Sequence, residues 1–299
     1  MQALTRQQTI LLVVLTLLWG FNWPVMKIGV TDYPPLTFRA LSMWIGAPLL
    51  GLGLVALKIP LKVPREHWQA LFWLAVTNMF VWNSLMVITV KALSSGRAAI
   101  LGYSMPIFSA VFGALFFGNR LLPRAWAGVA AAALGVLLLL WHELTHLSGR
   151  PVGVVLALIA AATWAVGTQQ MRRTKIPVST LALVFWMTVL CTGVLTILSV
   201  VFEFSQWKMP SAPAWGSILY NGVLIFVLAQ TSWFYLARSL PPVASSISVM
   251  MIPILGVFSG AWWLNESLHW QDWAAMLLMV LAIAAVLWPA RAPAPAAGP

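Results

Sequence analysis

Ten stretches of about 20 apolar residues, each ended by charges, prolines or a short polar cluster, constrain this chain more than any other feature. A helix needs about 20 residues to cross roughly 30 Å of hydrocarbon, so each stretch is long enough to span a bilayer. The spans are read as 8–28, 36–57, 68–90, 95–117, 124–141, 151–172, 178–202, 214–237, 242–263 and 270–288. Charged residues make up only 8% of the chain, against roughly a quarter in a soluble domain. A water-facing surface cannot be built from that supply, which excludes a soluble enzyme. The expected fold is an all-α membrane protein of ten transmembrane helices with short loops.

The N-terminal apolar run resembles a signal peptide, but it continues through Trp19-Gly20-Phe21-Asn22-Trp23-Pro24 with no small-residue cleavage site. It is read as the first membrane helix. The single cysteine, Cys191, permits no intramolecular disulfide. An even number of spans puts both termini on one side, and the basic residues choose that side. Arg6, Lys58, Lys62, Arg65, Arg120, Arg124, Arg172, Arg173, Lys175, Arg238 and Arg291 share it. Lys27, Arg39, Lys91, Arg97, Arg150 and Lys208 lie opposite, with five of the six acids. The positive-inside rule makes both termini cytoplasmic. The net charge of +11 is thereby read as topology, and no nucleic-acid partner is inferred.

The halves resemble each other at a displacement of 147 residues. Between 91–141 and 238–288, twelve of 51 positions are identical, including Pro106/Pro253, Gly113/Gly260, Trp126/Trp273 and Trp141/Trp288. Near the start of each half, at a displacement of 145, Trp19 pairs with Trp164 and Lys27 with Arg172. Five helices is an odd number, so the second copy enters the membrane upside down. Residues 1–147 are expected to form a first five-helix repeat, 148–288 an inverted second repeat, and 289–299 a disordered tail. Inverted repeats recur in secondary transporters, with the substrate site near the midplane between them.

Particular motifs resemble a known family. Leu18-Trp19-Gly20-Phe21-Asn22, the run "TFRAL" with Arg39, the mid-helix Pro106 and Pro253, and "WWLNESLHWQDW" with Glu266 are similar to the EamA-type drug/metabolite transporter superfamily. Within it the Trp- and Met-rich start resembles the YddG-type amino acid exporters of bacteria. Two positions depart from the pattern: Asn119 stands where the first half usually has an acid, and the second half has no counterpart of Arg39. The resemblance implies a bacterial inner-membrane exporter of amino acids, aromatic and other bulky neutral ones, with flat organic cations as a further class.

Pro106 and Pro253 interrupt backbone bonding in the middle of helices 4 and 9, freeing carbonyls near Gly102 and Val249. These are either acceptors for a substrate ammonium or packing kinks. Intramembrane polar residues fall on six helices: Asn22, Asn78, Asn83, Tyr103, Ser104, Thr168, Gln169, Gln230, Ser245, Ser246 and Ser248. Helices 5 and 10 are almost wholly aliphatic, which places them at the periphery of a central cavity. Trp68, Trp126, Trp141, Trp207, Trp215, Trp270, Trp273 and Trp288 lie near helix ends, where aromatic belts belong. Trp19, Trp82, Trp164 and Trp233 lie among the polar residues and are candidates for aromatic walls. The expected substrate-binding set is Asn22, Trp82, Asn83, Tyr103, Trp164, Thr168 and Gln230, with Pro106 and Pro253 as hinges. Gly256/Gly260 and Ser109/Gly113 form small-xxx-small steps for close helix approach.

His142-Glu143-Leu144-Thr145-His146 matches the zinc motif H-E-x-x-H, and Gly149 extends the match, but Val152 stands where a third histidine belongs. The segment is read as a short external connector and no zinc site is expected. No cofactor is expected either, and no compact nucleophile, base or metal set points to an intramembrane enzyme. No Asp or Glu lies in the middle of any span, which favours uniport by alternating access over proton coupling. Coupling through Glu266 or a water chain, as in a drug or metabolite exporter of the same superfamily, is the alternative. The chain is expected to work as a monomer in the lipid bilayer on a small-molecule substrate.

Overall fold

The structure, a computed structural model, describes residues 5–118, 121–145, 150–237 and 242–287. The expected tail 289–299, with Asn119, His146, the Arg172 side chain and those of Ser245, Ser246 and Ser248, lies outside the described residues. Ten helical spans follow in order. They are α1 Arg6–Asp32, α2 Pro35–Ala56, α3 Arg65–Ala92, α4 in two pieces Ser95–Gly102 and Met105–Phe117, and α5 Pro123–Thr145. The second half has α6 Pro151–Arg173, α7 Thr180–Glu203, α8 from Ala212 to Ala237, α9 Pro242–Leu264 and α10 Trp270–Leu287. Among the described residues, nine are long and apolar enough to cross a membrane, and α9 contributes the shorter apolar stretch Val249–Leu264.

Local chemistry starts these helices where they start. Thr5 and Gln8 form a reciprocal capping box on α1, Ser94, Ser179 and Ser211 accept from the first turns of α4, α7 and α8, and Pro35 and Pro151 open α2 and α6. Each arrangement satisfies or removes a backbone donor that has no partner inside the helix. The outward faces are apolar: Leu52, Val55, Phe116 and Trp262 are among many large side chains that protrude. In water such a surface would aggregate, whereas lipid solvates it. Trp126, Trp141, Trp207, Trp270 and Trp273 are exposed near helix ends, as interfacial anchors should be.

The helices pack so that α5 and α10 lie chiefly on each other at one side of the bundle. There a Cβ on Gly128 would come within 2.9 Å of the Ala282 carbonyl. Of the remaining helices, α1 touches α2, α3, α4, α8 and α9, while α6 packs on α3 and α4 and α7 on α2 and α3. Gly256 on α9 lies against Ala99 of α4 and Trp23 of α1, and Gly260 lies against Ser95. The small-residue step on α9 is therefore a place of close approach.

Three features depart from the sequence reading. First, α5 runs on through His142 and Glu143 to Thr145, so this segment is helix and not a connector. Both residues are buried by contact with Arg97 of α4, a partner 45 residues away that no local pattern announces. Second, α3 and α8 are not uniform: π-helical turns occupy Val76–Phe80 and Tyr220–Ala229. Third, the matched prolines behave differently. The chain breaks at Tyr103–Ser104 just before Pro106, while α9 passes through Pro253 without a break. Gly102 is a poor helix former, and the Ser104 hydroxyl donates to the Leu101 carbonyl at 2.6 Å, competing with the helical ladder. The turn before Pro253 is Val249-Met250-Met251-Ile252, which offers neither a glycine nor a competing hydroxyl.

Candidate functional site

Around Gly102, near the middle of the membrane spans, aromatic rings from four helices converge. Trp82 of α3 and Trp164 of α6 have ring centroids 6.3 Å apart. Trp23 of α1 meets Tyr103, at the α4 break, edge-on at 6.3 Å. The ring tips of Trp23 and Trp82 crowd Gly102, where an added Cβ would stand 2.9 and 3.3 Å from them, with Met86 at 3.1 Å. The glycine is thus a condition of the ring arrangement. Such a wall can stack on an aromatic or thioether side chain, or face a cation, at about 0.5–2 kcal/mol per contact.

A second cluster lies between α1 and α8. Trp19 and Trp233 approach to 5.5 Å, and Tyr220 donates its hydroxyl to the Leu18 carbonyl at 2.8 Å. Asn22 belongs to this face of α1, and its Oδ1 is buried with no donor. Gln230 opens the last piece of α8 on the same side. The other expected residues are satisfied within their own helices. Asn83 donates to the Met79 carbonyl at 2.8 Å, and Thr168 donates to the Trp164 carbonyl at 3.0 Å. Gln169 instead joins α6 to α4 by donating to the Ser109 carbonyl and hydroxyl.

One end of the bundle carries the turns α1–α2, α3–α4, α5–α6, α7–α8 and α9–α10, and it holds a set of charged ties. Lys27 Nζ donates to the carbonyls of Val90, Lys91 and Leu93 at 2.9, 3.1 and 2.7 Å, closing the C-terminus of α3. Glu266, following α9, accepts from Ser95 N, Ser95 Oγ and Gly96 N at the start of α4. Glu203, at the end of α7, does the same for Leu36 and Thr37 at the start of α2. A carboxylate at a helix N-terminus is favoured by the dipole and by the unpaired N–H groups. Arg97 joins Asp272 of α10 at 2.6 Å and Glu143 of α5, and Glu143 also accepts from Arg150 N at 2.6 Å. Three acids of the second half thus grip the first half at one membrane face. The outward cavities, each about 470 Å³, open on the flanks of α2, α3 and α7, against residues such as Trp44, Thr196, Phe80 and Leu198.

The sequence profile described as the EamA-like transporter family matches residues 8–141 and again residues 151–288. The chain belongs to that family. Its relatives include the uncharacterized transporter YoaV of Bacillus subtilis, 26% identical over 91% of this chain and 92% of its own length. The uncharacterized inner membrane transporter YedA of Escherichia coli K12 is also 26% identical, over 94% of this chain and 92% of its own length. A relative named "Probable amino-acid metabolite efflux pump" in Escherichia coli K12 is 23% identical over 93% of each chain. One solved crystal structure superposes with a TM-score of 0.66 over 94% of this chain and 96% of its own, at 19% identity, which establishes the shared fold. This EamA-family protein is therefore a multi-pass membrane transporter of the bacterial inner membrane, and not an enzyme.

In this transporter the structure brings Trp82, Tyr103 and Trp164 into one cluster, and places Asn22 and Gln230 along the α1–α8 face. Asn83 and Thr168 do not join either group through their polar atoms. Sequence reasoning missed Trp23, and it singled out Gly102 only for a carbonyl freed by Pro106, not for the space in which the rings meet. Trp23 stands beside Asn22 and before Pro24 in a span already rich in candidates, so its neighbours were the available signal. His142 and Glu143 of the zinc-like motif are engaged with Arg97, in a tie between helices.

Proposed function

We propose that this transporter exports amino acids with bulky neutral or aromatic side chains, by alternating access between two inverted five-helix halves, as a uniporter and a monomer. The observation that carries the reading is the ring cluster of Trp23, Trp82, Tyr103 and Trp164 around Gly102, which offers an apolar, polarisable wall at the depth where carriers of this kind hold substrate. The efflux-pump name of one relative agrees with it.

Two further features support inverted halves at 1–147 and 148–288. The helix contacts pair off when each helix is exchanged with the one five places later: α1–α9 with α6–α4, α3–α6 with α8–α1, and α2–α8 with α7–α3. The π turn of α3, displaced by the 147 residues of the internal repeat, falls inside the π turn of α8. A break in a spanning helix lets its two parts rock, and the Tyr103–Ser104 break before Pro106 would be the hinge of the first half. Pro253 would bend α9 without breaking it. Export follows from the cytoplasmic supply of substrate, since a uniporter runs down the gradient it meets.

Every acid of the chain is outside the middle of the spans, and Glu143, Glu203, Glu266 and Asp272 are occupied at one end. Uniport is expected to give downhill flux of labelled phenylalanine into proteoliposomes at the same rate with and without an imposed proton gradient. Strict dependence on the gradient would reject it. Tyr103→Ala and Trp164→Ala each remove ring contacts worth about 0.5–1.5 kcal/mol beyond burial. The expected result is a several-fold fall in flux of aromatic amino acids relative to leucine. Equal losses for all substrates would assign the rings to packing alone.

A further inference from the structure

Arg39, in the second turn of α2, is 4% exposed. Its Nη1 donates to Asn221 Oδ1 at 3.0 Å and its Nη2 to Met26 Sδ at 2.8 Å, while Nε is buried with no partner. The guanidinium also lies 5.7 and 5.5 Å from the ring centres of Phe38 and Phe226. All six Asp and Glu side chains are among the described residues, and none of them is within ion-pair distance of it. An amide oxygen, a thioether and two ring faces carry partial charge only. A full positive charge buried within a membrane-spanning bundle with no counter-ion is costly, and an ionisable residue inside a spanning segment is by default a functional candidate.

The complementary group is one helical turn away. Asn22 precedes Met26 by four residues on the same face of α1, about 6 Å along the axis. Its Oδ1 is buried and without a donor. The α1–α2–α8 seam therefore presents an unneutralised, planar cation and, one helical turn along α1 from its Met26 contact, an unused hydrogen-bond acceptor. These are the complements of a carboxylate and of an ammonium. A guanidinium engages a carboxylate through two parallel N–H donors, and the orphan Nε is one member of such a pair.

We infer that Arg39 is a carboxylate-binding subsite, and that Asn22 Oδ1 receives the ammonium of the same ligand. The ligand class is a small zwitterion bearing a carboxylate, which rests on the amino-acid reading above. The bound carboxylate takes the place of the Met26 sulfur at Nη2 and gives Nε a partner. Its side chain extends past α1 toward the rings around Gly102, which Trp23, the neighbour of Asn22, helps to build.

The test uses the purified full-length protein in detergent, with ligand-induced thermal stabilisation titrated for three probes. They are phenylalanine, phenylalaninamide, which lacks the carboxylate, and 3-phenylpropanoate, which lacks the ammonium. For the unaltered chain, phenylalanine should bind best and the amide worst, by about tenfold or more, because bonds to charged groups contribute about 1.5–3 kcal/mol. Arg39→Gln should weaken phenylalanine and 3-phenylpropanoate by a similar factor and leave the amide unchanged, and Arg39→Lys should recover part of the loss. Asn22→Ala should weaken phenylalanine while sparing 3-phenylpropanoate. If Arg39→Gln fails to fold, the probe series on the unaltered chain and on Asn22→Ala still decides. The subsite is overturned if the unaltered chain binds the amide as tightly as phenylalanine, or if Arg39→Gln binds both carboxylates normally. Arg39-dependent binding of 3-phenylpropanoate with no binding of phenylalanine would contradict the amino-acid reading and leave the carboxylate subsite standing.

Discussion

Replacing Arg97 by Met is expected to cause a large loss of stability. Arg97 is buried and is the cation that Asp272 and Glu143 share. Its removal leaves two buried carboxylates without the guanidinium that they share. Breaking a buried pair in this way costs about 3–5 kcal/mol, and the expected fall in the melting temperature of the purified protein is on the order of 10 °C. Asp272→Asn is the informative control, because it leaves one cation with one carboxylate, and its loss should be much smaller. A melting temperature for Arg97→Met within a degree or two of the parent would show that the tie contributes little.

Gly102→Val is expected to affect transport more than any other single apolar change. Even a Cβ at this position meets Trp23 at 2.9 Å and Met86 at 3.1 Å, and valine adds two methyl groups to that space. The rings have to turn away from each other or α4 has to shift. Overpacking of this kind costs about 1–3 kcal/mol, which corresponds to a loss of roughly five- to 150-fold if it falls on substrate binding. Flux of phenylalanine in proteoliposomes should fall by at least about fivefold at unchanged expression. Trp82→Ala in the Gly102→Val background should return part of it by making room. Normal flux in Gly102→Val would remove the ring cluster from the transport pathway.

The helices were legible because hydropathy and length decide them: each expected span overlaps one in the structure. The peripheral place of α5 and α10 was legible for the same reason, since aliphatic helices have only packing to offer. Trp82 and Trp164 became candidates by excluding the tryptophans at helix ends, Tyr103 as an intramembrane polar residue, and the structure draws the three together around Gly102. What stayed hidden depends on contacts far apart in sequence. The burial of His142 and Glu143 is set by Arg97, and the N-terminal cap on α4 comes from Glu266, 171 residues away. Arg39 was read as a charge on the outer face because it lies only a few residues from a helix start. Its burial comes from α1 and α8 closing over it through Met26, Asn221 and Phe226. The π turn of α3 is likewise invisible to hydropathy, since Val76-Thr77-Asn78-Met79-Phe80 has no proline or glycine to mark it. The different behaviour of Pro106 and Pro253 turns on the Gly102 and Ser104 that precede only the first.

The proposed substrates of this EamA-family transporter are bulky neutral amino acids, held in a site lined by Trp23, Trp82, Tyr103 and Trp164. Counterflow tests this most directly: proteoliposomes preloaded with unlabelled amino acid are diluted into a trace of the labelled compound, across a panel, with no ion gradient. The expected result is transient accumulation of phenylalanine, tryptophan, methionine and leucine, little with glutamate or lysine, and reduced accumulation of the aromatic members in Trp164→Ala. Absence of counterflow for every amino acid, with exchange of organic cations or phosphate-bearing metabolites instead, would contradict the account.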